Sequence, residues 1–419
     1  MSIKERLKQP LVTNFLFLAL YQGVGYLLPF ISLIYLVKVL GIERWGLVSF
    51  GYAFMQYFVL LTDFGFNFSG TKYISQNRDD LNKINSFLNS AMLGRVFLLF
   101  FSFLILLTIS LLSGKFKLDI SFYLLYFGIV IGNMMVPLWF FQGMEKMKYM
   151  TLFSFLSKCL SFILFVIFIR KPEDYIYVPV FYSFGFIVAG IISLYLVYRK
   201  MGMSWFFTPV SEIINVFKDS ATYFLSRIST TLFSTSNTFV VGLVLGNTAA
   251  GFYSAAEKLY QAYNQLLVPF AGVLFPHIAK VKDTKFFKKV YFRITITNIF
   301  IVATAWLLSP FIISIIYKSM GEDVINTINI FRILILASFL SVPSALLGYP
   351  FLAAMGHPKY TNWTSVLTSM VHITILLILY IFGNLTLMSV TWVVVFSEAS
   401  MFIYRRLGVV KFGLFKNDF

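Results

Sequence analysis

"GFYSAAEKLYQAYNQLLVPF", Gly251 to Phe270, is the stretch on which the fold turns. As a helix of twenty residues it would be about 30 Å long, which matches the hydrocarbon core of a bilayer. Yet Glu257 and Lys258 stand side by side in it, and Gln261, Asn264 and Gln265 follow. It is either a polar-faced membrane span or a helix of a soluble core. The rest of the chain decides. Of 419 residues, 59% are hydrophobic and only 12% charged, against about 25% charged in an ordinary soluble domain. Fifty phenylalanines and a mean hydropathy of +0.82 exceed what one water-excluding core can hide. Apolar runs of bilayer length recur from end to end, so the chain reads as an all-α polytopic membrane protein.

The apolar runs suggest twelve spans, at 11–37, 45–68, 86–112, 120–141, 150–169, 175–198, 220–245, 251–275, 290–316, 328–354, 360–382 and 385–404. Twelve is even, so both ends lie on one side. The termini and even-numbered loops, with Arg293 at the start of span nine counted in the basic segment 277–293, hold 22 Lys and Arg, including Lys4, Arg6, Lys8, Arg405, Arg406, Lys411 and Lys416, while the odd-numbered loops hold seven. Basic loops stay inside. Both termini are therefore expected in the cytoplasm, with the basic start "MSIKERLKQP" leading into a retained first helix. The net charge of +17 follows from this bias and from attraction to anionic lipid, and no nucleic-acid partner is expected.

Several chemistries are excluded. The single cysteine, Cys159, makes no internal disulfide or multi-cysteine metal site, and His277, His357 and His372 have no zinc spacing. Gly114-Lys115-Phe116 fails the phosphate-loop pattern at its third position. The longest loop, Arg199 to Asp219, has about 20 residues and leaves no room for a soluble catalytic domain.

Sliding the chain by 205 residues aligns Val39-Leu40-Gly41 with Val244-Leu245-Gly246, and Gly46, Ser49, Gln56 and Leu61 with Gly251, Ser254, Gln261 and Leu266. Each half opens with a long helix, a Leu-Gly turn and a second helix. Two six-helix lobes of like orientation are expected, 1–200 and 220–419 joined by a cytoplasmic linker at 201–219, around a central cavity.

Charged groups inside spans normally face water or one another. The basic ones are Arg95, Lys158, Arg227, Lys258 and Arg332, and the acidic ones Asp63, Glu257 and Glu398. Arg332, Glu398 and Asp63, near span ends, fit snorkelling or pairing; Arg95, Lys158 and Arg227 lie deeper. Helical spacing puts Arg227, Thr231, Ser234 and Thr238 on one face, and likewise Tyr253, Glu257, Tyr260, Gln261 and Asn264, with Lys258 and Gln265 along its edge. Span two repeats this with Tyr52, Gln56, Asp63 and Asn67, and span eleven with Asn362, Ser365, Ser369 and His372. Polar stripes on several helices suggest an aqueous cavity, and five bases against three acids favour an anionic ligand. The expected ligand-binding set is Arg95, Lys158, Arg227, Lys258, Gln261, Asn264 and Gln56. Glu257, Asp63 and Glu398 serve ion coupling or charge pairing, and no catalytic or metal residue is expected. Gly23, Gly25 and Pro29 could bend span one.

"LLTDFGFNFSGTKYIS" (60–75), "WFFQGMEKMKYMTLFSFLSK" (139–158) and "VVGLVLGNTAAGFYSAAEKLYQ" (240–261) resemble the polysaccharide-transport family, and more closely its Wzx-type O-antigen flippases. The resemblance covers essentially the whole chain. It implies a non-enzyme of the multidrug/oligosaccharidyl-lipid/polysaccharide exporter superfamily in the bacterial inner membrane, flipping undecaprenyl-pyrophosphate-linked glycan by alternating access. Implied partners are membrane lipids and other polysaccharide assembly proteins. No cofactor is implied, with H+ or Na+ as an optional coupling ion. One departure is that span one offers only Asn14, Gln22 and Lys38, where the related lipid II flippases carry cavity arginines. The alternatives are an ion-coupled drug or metabolite extruder, which an acidic cavity would favour, and a membrane glycan polymerase or ligase, which needs a large outer loop.

Overall fold

The computed structural model describes residues 10–265, 268–317 and 324–415. Lys4, Arg6, Lys8 and Lys416, and the side chains of Asn14 and Ser234, lie outside the described residues. The described chain is all-helical. The order is α1 (Pro10–Asp63), α2 (Phe66–Gln76), α3 (Leu81–Leu112), α4 (Gly114–Lys117), α5 (Ile120–Tyr126), α6 (Gly128–Met135), α7 (Leu138–Gly143), α8 (Met147–Phe168) and α9 (Tyr177–Tyr195). Then come α10 (Val210–Leu245), α11 (Asn247–Gln265), α12 (Val268–Val281), α13 (Thr284–Leu307), α14 (Ser309–Ile316), α15 (Val324–Leu347), α16 (Pro358–Ile381) and α17 (Leu387–Lys411).

Among the described residues nine helical stretches are long and apolar enough to cross a membrane, or ten if the bent pair Arg227–Phe233 and Thr235–Leu245 is one span. The first, Leu20–Gln76, is itself more than one pass, because α1 breaks at Gly41. The stretch quoted at the outset is not among them; nineteen residues of chain run there as the polar α11. Apart from that stretch, the order of the helices follows the expected spans. Three boundaries move. Span two ends at Asp63, where Phe64 and Gly65 take left-handed backbone (φ 42° and 79°). Span four is three short helices, α5 to α7, broken before Pro137. Span twelve continues to Lys411, so Arg405, read as a tail charge, lies in the helix and is buried. Nothing in "YRRLGVVK" breaks a helix there, and apolar residues resume after it.

The chain forms two compact units, 1–40 with 51–231, and 41–50 with 232–419. The partition differs from the expected 1–200 and 220–419 in two places: the first half of α10 groups with the first unit, and the turn at 41–50 with the second. In the first unit Trp139, Phe140 and Phe141 are wholly buried against Phe66, Ile74 and Phe153. In the second, Phe287 stacks on Phe351 at 4.1 Å beside Ile278 and Val409.

Both Leu-Gly turns use glycine for the same reason. Gly41 (φ 74°) and Gly246 (φ 95°) adopt a left-handed φ that a side chain resists, and each lets a new helix start at once. Five residues later, close approach requires glycine again. A Cβ on Gly46 would stand 1.7 Å from the Asn247 carbonyl oxygen, and one on Gly251 2.2 Å from that of Ile42.

Candidate functional site

Proline removes one helical N–H and so leaves the carbonyl four residues earlier without its partner. In a bilayer that carbonyl has no water to turn to, and each such group costs several kcal/mol. Pro29 lies inside α1, and the carbonyl it orphans is that of Gly25. Lys158 Nζ, on α8, donates to the Gly25 oxygen at 3.3 Å and to Ser154 Oγ at 3.2 Å. At the end of α6, two residues before Pro137, the Asn133 carbonyl accepts from the Val136 N–H at 3.2 Å and has room for a second donor. Arg95 Nη2, on α3, donates to the Asn133 oxygen at 3.1 Å. Arg95 Nε donates to the Thr62 oxygen at 3.2 Å, where α1 ends at the left-handed pair Phe64–Gly65. A cation among C-terminal carbonyls also meets the negative ends of two helix dipoles.

Beside that guanidinium lies a cavity of about 210 Å³, lined among others by Tyr21, Gln56, Asp63, Asn67, Arg95 and Arg227. Asn67 Nδ2 donates to Asp63 Oδ1 at 2.7 Å, holding the carboxylate across the break between α1 and α2. The other carboxylate oxygen, Asp63 Oδ2, and Arg95 Nη1 are both buried without a protein partner. Buried polar atoms are normally satisfied, so such a pair at a polar cavity marks a place for water, an ion or a ligand. The fold thus brings together four of the predicted residues, Gln56, Asp63, Arg95 and Arg227, in the first unit. Asp63, which its place near a span end linked to snorkelling, instead turns into this cavity.

Lys158 belongs to the same unit and serves the Gly25 carbonyl rather than lining that cavity. The remaining candidates sit in the second unit and are engaged there by side chains of the same or of a neighbouring helix. Glu257 Oε2 accepts from Thr238 Oγ1 at 2.7 Å, while Lys258 Nζ donates to Gln261 Oε1 at 3.1 Å, one turn along. The adjacent charges therefore turn to different partners, as the 100° step between neighbours requires. Asn264 Oδ1 accepts from Ser341 at 3.1 Å, and Glu398 Oε1 from Tyr260 at 3.4 Å. Arg332 donates to Ser309 at 2.8 Å and lies 4.8 Å over the Trp306 ring. It is a structural contact.

Two buried polar centres emerge more sharply than from sequence. Arg405 donates to the Ser344 carbonyl at 2.9 Å and reaches Thr364 and Ser365 at 3.4 Å, where α15 widens into the π-helical turn Gly348–Ala353. His372, fully buried on α16, bonds Ser397 of α17 at 2.9 Å and Asn237 of α10 at 3.0 Å. Its place in the stripe of span eleven was legible; its two partners were not.

The family model described as "Polysaccharide biosynthesis protein" matches residues 11–282, well over half of the chain. A protein of Escherichia coli (strain K12) is 29% identical over 272 residues, 65% of this chain and 66% of that one, just under two thirds of its length. A protein of Shigella dysenteriae is 27% identical over 376 residues, 86% of this chain and 90% of that one. Each bears the name "Putative O-antigen transporter". Among solved structures, the lipid II flippase MurJ in an inward closed conformation gives a TM-score of 0.73 at 15% identity, covering 95% of this chain and 87% of that chain. An inward-facing multidrug resistance MATE family transporter of the MOP superfamily gives 0.70 at 15% identity over 94% and 96%. At these identities the likeness concerns the fold, which is the all-helical fold of such transporters. The chain belongs to the polysaccharide biosynthesis protein family.

Proposed function

We propose that the protein is a flippase for a lipid-linked glycan. It carries undecaprenyl-pyrophosphate-linked, O-antigen-type repeat units from the cytoplasmic to the periplasmic leaflet of the bacterial inner membrane by alternating access. One observation carries the reading beyond family membership: a polar cavity among helices of membrane-spanning length is lined by two arginines, one of which keeps an N–H without a protein partner. An unoccupied guanidinium donor in a low-dielectric setting favours a phosphate oxygen. The names of the relatives and the flippase fold support the same substrate class. Arg95 and Arg227 are assigned to the diphosphate, Gln56 to sugar hydroxyls, and Lys158, Lys258, Gln261 and Asn264 to the walls of the path. Asp63, with Glu257 and Glu398 as further candidates, is where a coupling H+ or Na+ would bind. Both termini are placed in the cytoplasm by the bias of basic loops.

The test is deletion of the gene followed by leaflet-resolved analysis of lipid-linked intermediates. Complete, unpolymerised units should accumulate on the cytoplasmic face and clear on re-expression of the wild-type chain, and less well with Arg227→Gln. Normal flipping in the deletion strain sinks the reading. Ion-coupled extrusion of drugs, the alternative supported by the MATE-like fold and the buried Asp63, predicts cation-dependent drug efflux with no change in those intermediates.

A further inference from the structure

A second cavity in the first unit, about 440 Å³, opens beside the first along the same two helices. On α2, Asn67 lines the inner cavity, whereas Ser69, Lys72, Tyr73 and Gln76 line the second. On α10, Arg227 and Thr231 line the inner one, and Lys218, Asp219, Thr222 and Tyr223 the second. Tyr223 and Arg227 are one turn apart, about 6 Å along the helix, and Lys218 lies about 14 Å from Arg227. The helices touch between the two spaces. Ser69 and Ser220 share a hydrogen bond of 2.6 Å, and the Phe64 and Phe224 rings stack at 4.4 Å.

We infer that the outer cavity is a loading site for the phosphate-bearing head group of a membrane amphiphile, which passes from Lys72 and Lys218 to Arg227 and Arg95. One lysine stands on each helix, both exposed, with Asp219 as the only acid in the lining. Two ammonium groups, one from each helix, match a group with several anionic oxygens better than a single charge. The wall behind them is aromatic. Tyr73 stacks on Phe87 at 4.4 Å, and Tyr223 lies parallel to Phe68 at 6.1 Å. Such faces receive the C–H side of a sugar ring, while Gln76 and Thr222 supply hydrogen bonds to hydroxyls. Phe68 is half exposed and apolar, as suits a wall next to lipid tails. The inference rests on the flippase reading above, since it names where that substrate's head group first binds.

The experiment is lysine footprinting of the full chain in phosphatidylcholine nanodiscs with an amine-acylating reagent, read by mass spectrometry. The probes are a polyprenyl diphosphate in the bilayer and, separately, sodium pyrophosphate in solution. With lipid probe at ten times its dissociation constant, Lys72 and Lys218 should acylate about tenfold more slowly, and Lys83 and Lys200 at unchanged rates. Protection by the lipid alone assigns the site to a membrane-anchored head; protection by both assigns it to the diphosphate as such. No protection, or equal slowing of all four lysines, overturns the site. Transport is measured in vesicles from the same preparation. Transport without protection removes the loading site and leaves the flippase reading. Protection without transport does the reverse.

Discussion

The hydroxyls of Ser49 and Ser254 lie 3.0 Å apart, and exactly one repeat length, 205 residues, separates them in the chain. Trp45 Nε1 also donates to Ser254 at 2.9 Å. The contact is reciprocal: Gly46 abuts Asn247, and Gly251 abuts Ile42, whose numbers again differ by 205. Symmetric oligomers bury the same patch against itself in this manner, residue i on j and j on i. Here the two copies belong to one chain.

That geometry leaves no room for a methyl group at either glycine. Gly46→Ala and Gly251→Ala should each destabilise the protein by about 1–3 kcal/mol through overpacking, if they fold at all. Gly23 is the control, because it too lies in a helix and a Cβ there meets nothing within 4 Å. Gly23→Ala should be neutral or slightly stabilising. Thermal melting of the detergent-purified variants checks this, and equal melting of all three proteins refutes it.

A second prediction concerns Pro29 and Lys158. If Lys158 donates to Gly25 because Pro29 cannot, the two positions are energetically coupled. Lys158→Met should cost about 1.5–3 kcal/mol in the wild-type background, the range for a lost charged hydrogen bond. Pro29→Ala restores the N–H that the Gly25 carbonyl lacks, and in that background the cost should fall by at least about 1 kcal/mol. The double-mutant cycle measures this coupling directly. Additive effects would mean that Lys158 acts elsewhere. Transport that stays low in the double variant while stability recovers would give Lys158 a second role, toward substrate.

Much of the fold could be read from the chain, and the reasons are physical. Bilayer-length apolar runs leave few alternatives to helices, and a repeated Leu-Gly turn needs only a backbone that glycine allows. Pro29 is equally plain in the sequence, and it announces an orphaned carbonyl. What could not be read is the donor, because Lys158 comes from another helix whose register depends on tertiary packing. The same limit applies to the site. Sequence periodicity grouped Gln56 with Asp63, but only packing adds Arg95 and Arg227 and sets Glu257 on Thr238. Arg405 was misread for a different reason: two adjacent arginines near a chain end look like a cytoplasmic tail, although the helical pattern runs on past them.

The third prediction is topological and rests on the charge of the loops. A reporter active only in the periplasm should work when fused after Gly246 or Gly383 and stay silent after Lys282. The segment 277–293 carries six Lys and Arg, and the turn 246–251 none. Removing Arg405, a buried structural residue, from the count of basic residues at the termini and even-numbered loops leaves 21 against seven. Periplasmic activity after Lys282 would reverse the orientation, and with it the direction of transport.

The last prediction returns to Glu257 and Lys258. Their repeat counterparts are Tyr52 and Ala53, so the charges appear where the two halves otherwise match. Glu257 is buried and accepts from Thr238, whereas Lys258 is turned to Gln261. A hydroxyl is a weaker counterpart to a carboxylate than an ammonium, and an amide oxygen is a weaker one to an ammonium than a carboxylate. Each charge therefore keeps capacity for another partner. Thr238→Val should destabilise the protein by about 1–3 kcal/mol, because it leaves a buried carboxylate oxygen without its donor. Lys258→Ala should instead leave membrane abundance near wild type and lower transport, with Lys258→Arg retaining more activity than Lys258→Gln. Abundance is read from the membrane fraction and transport from clearance of cytoplasmic-leaflet intermediates. If all three Lys258 variants transport equally, or if lost transport follows lost protein, the pair holds α11 in place and does no more.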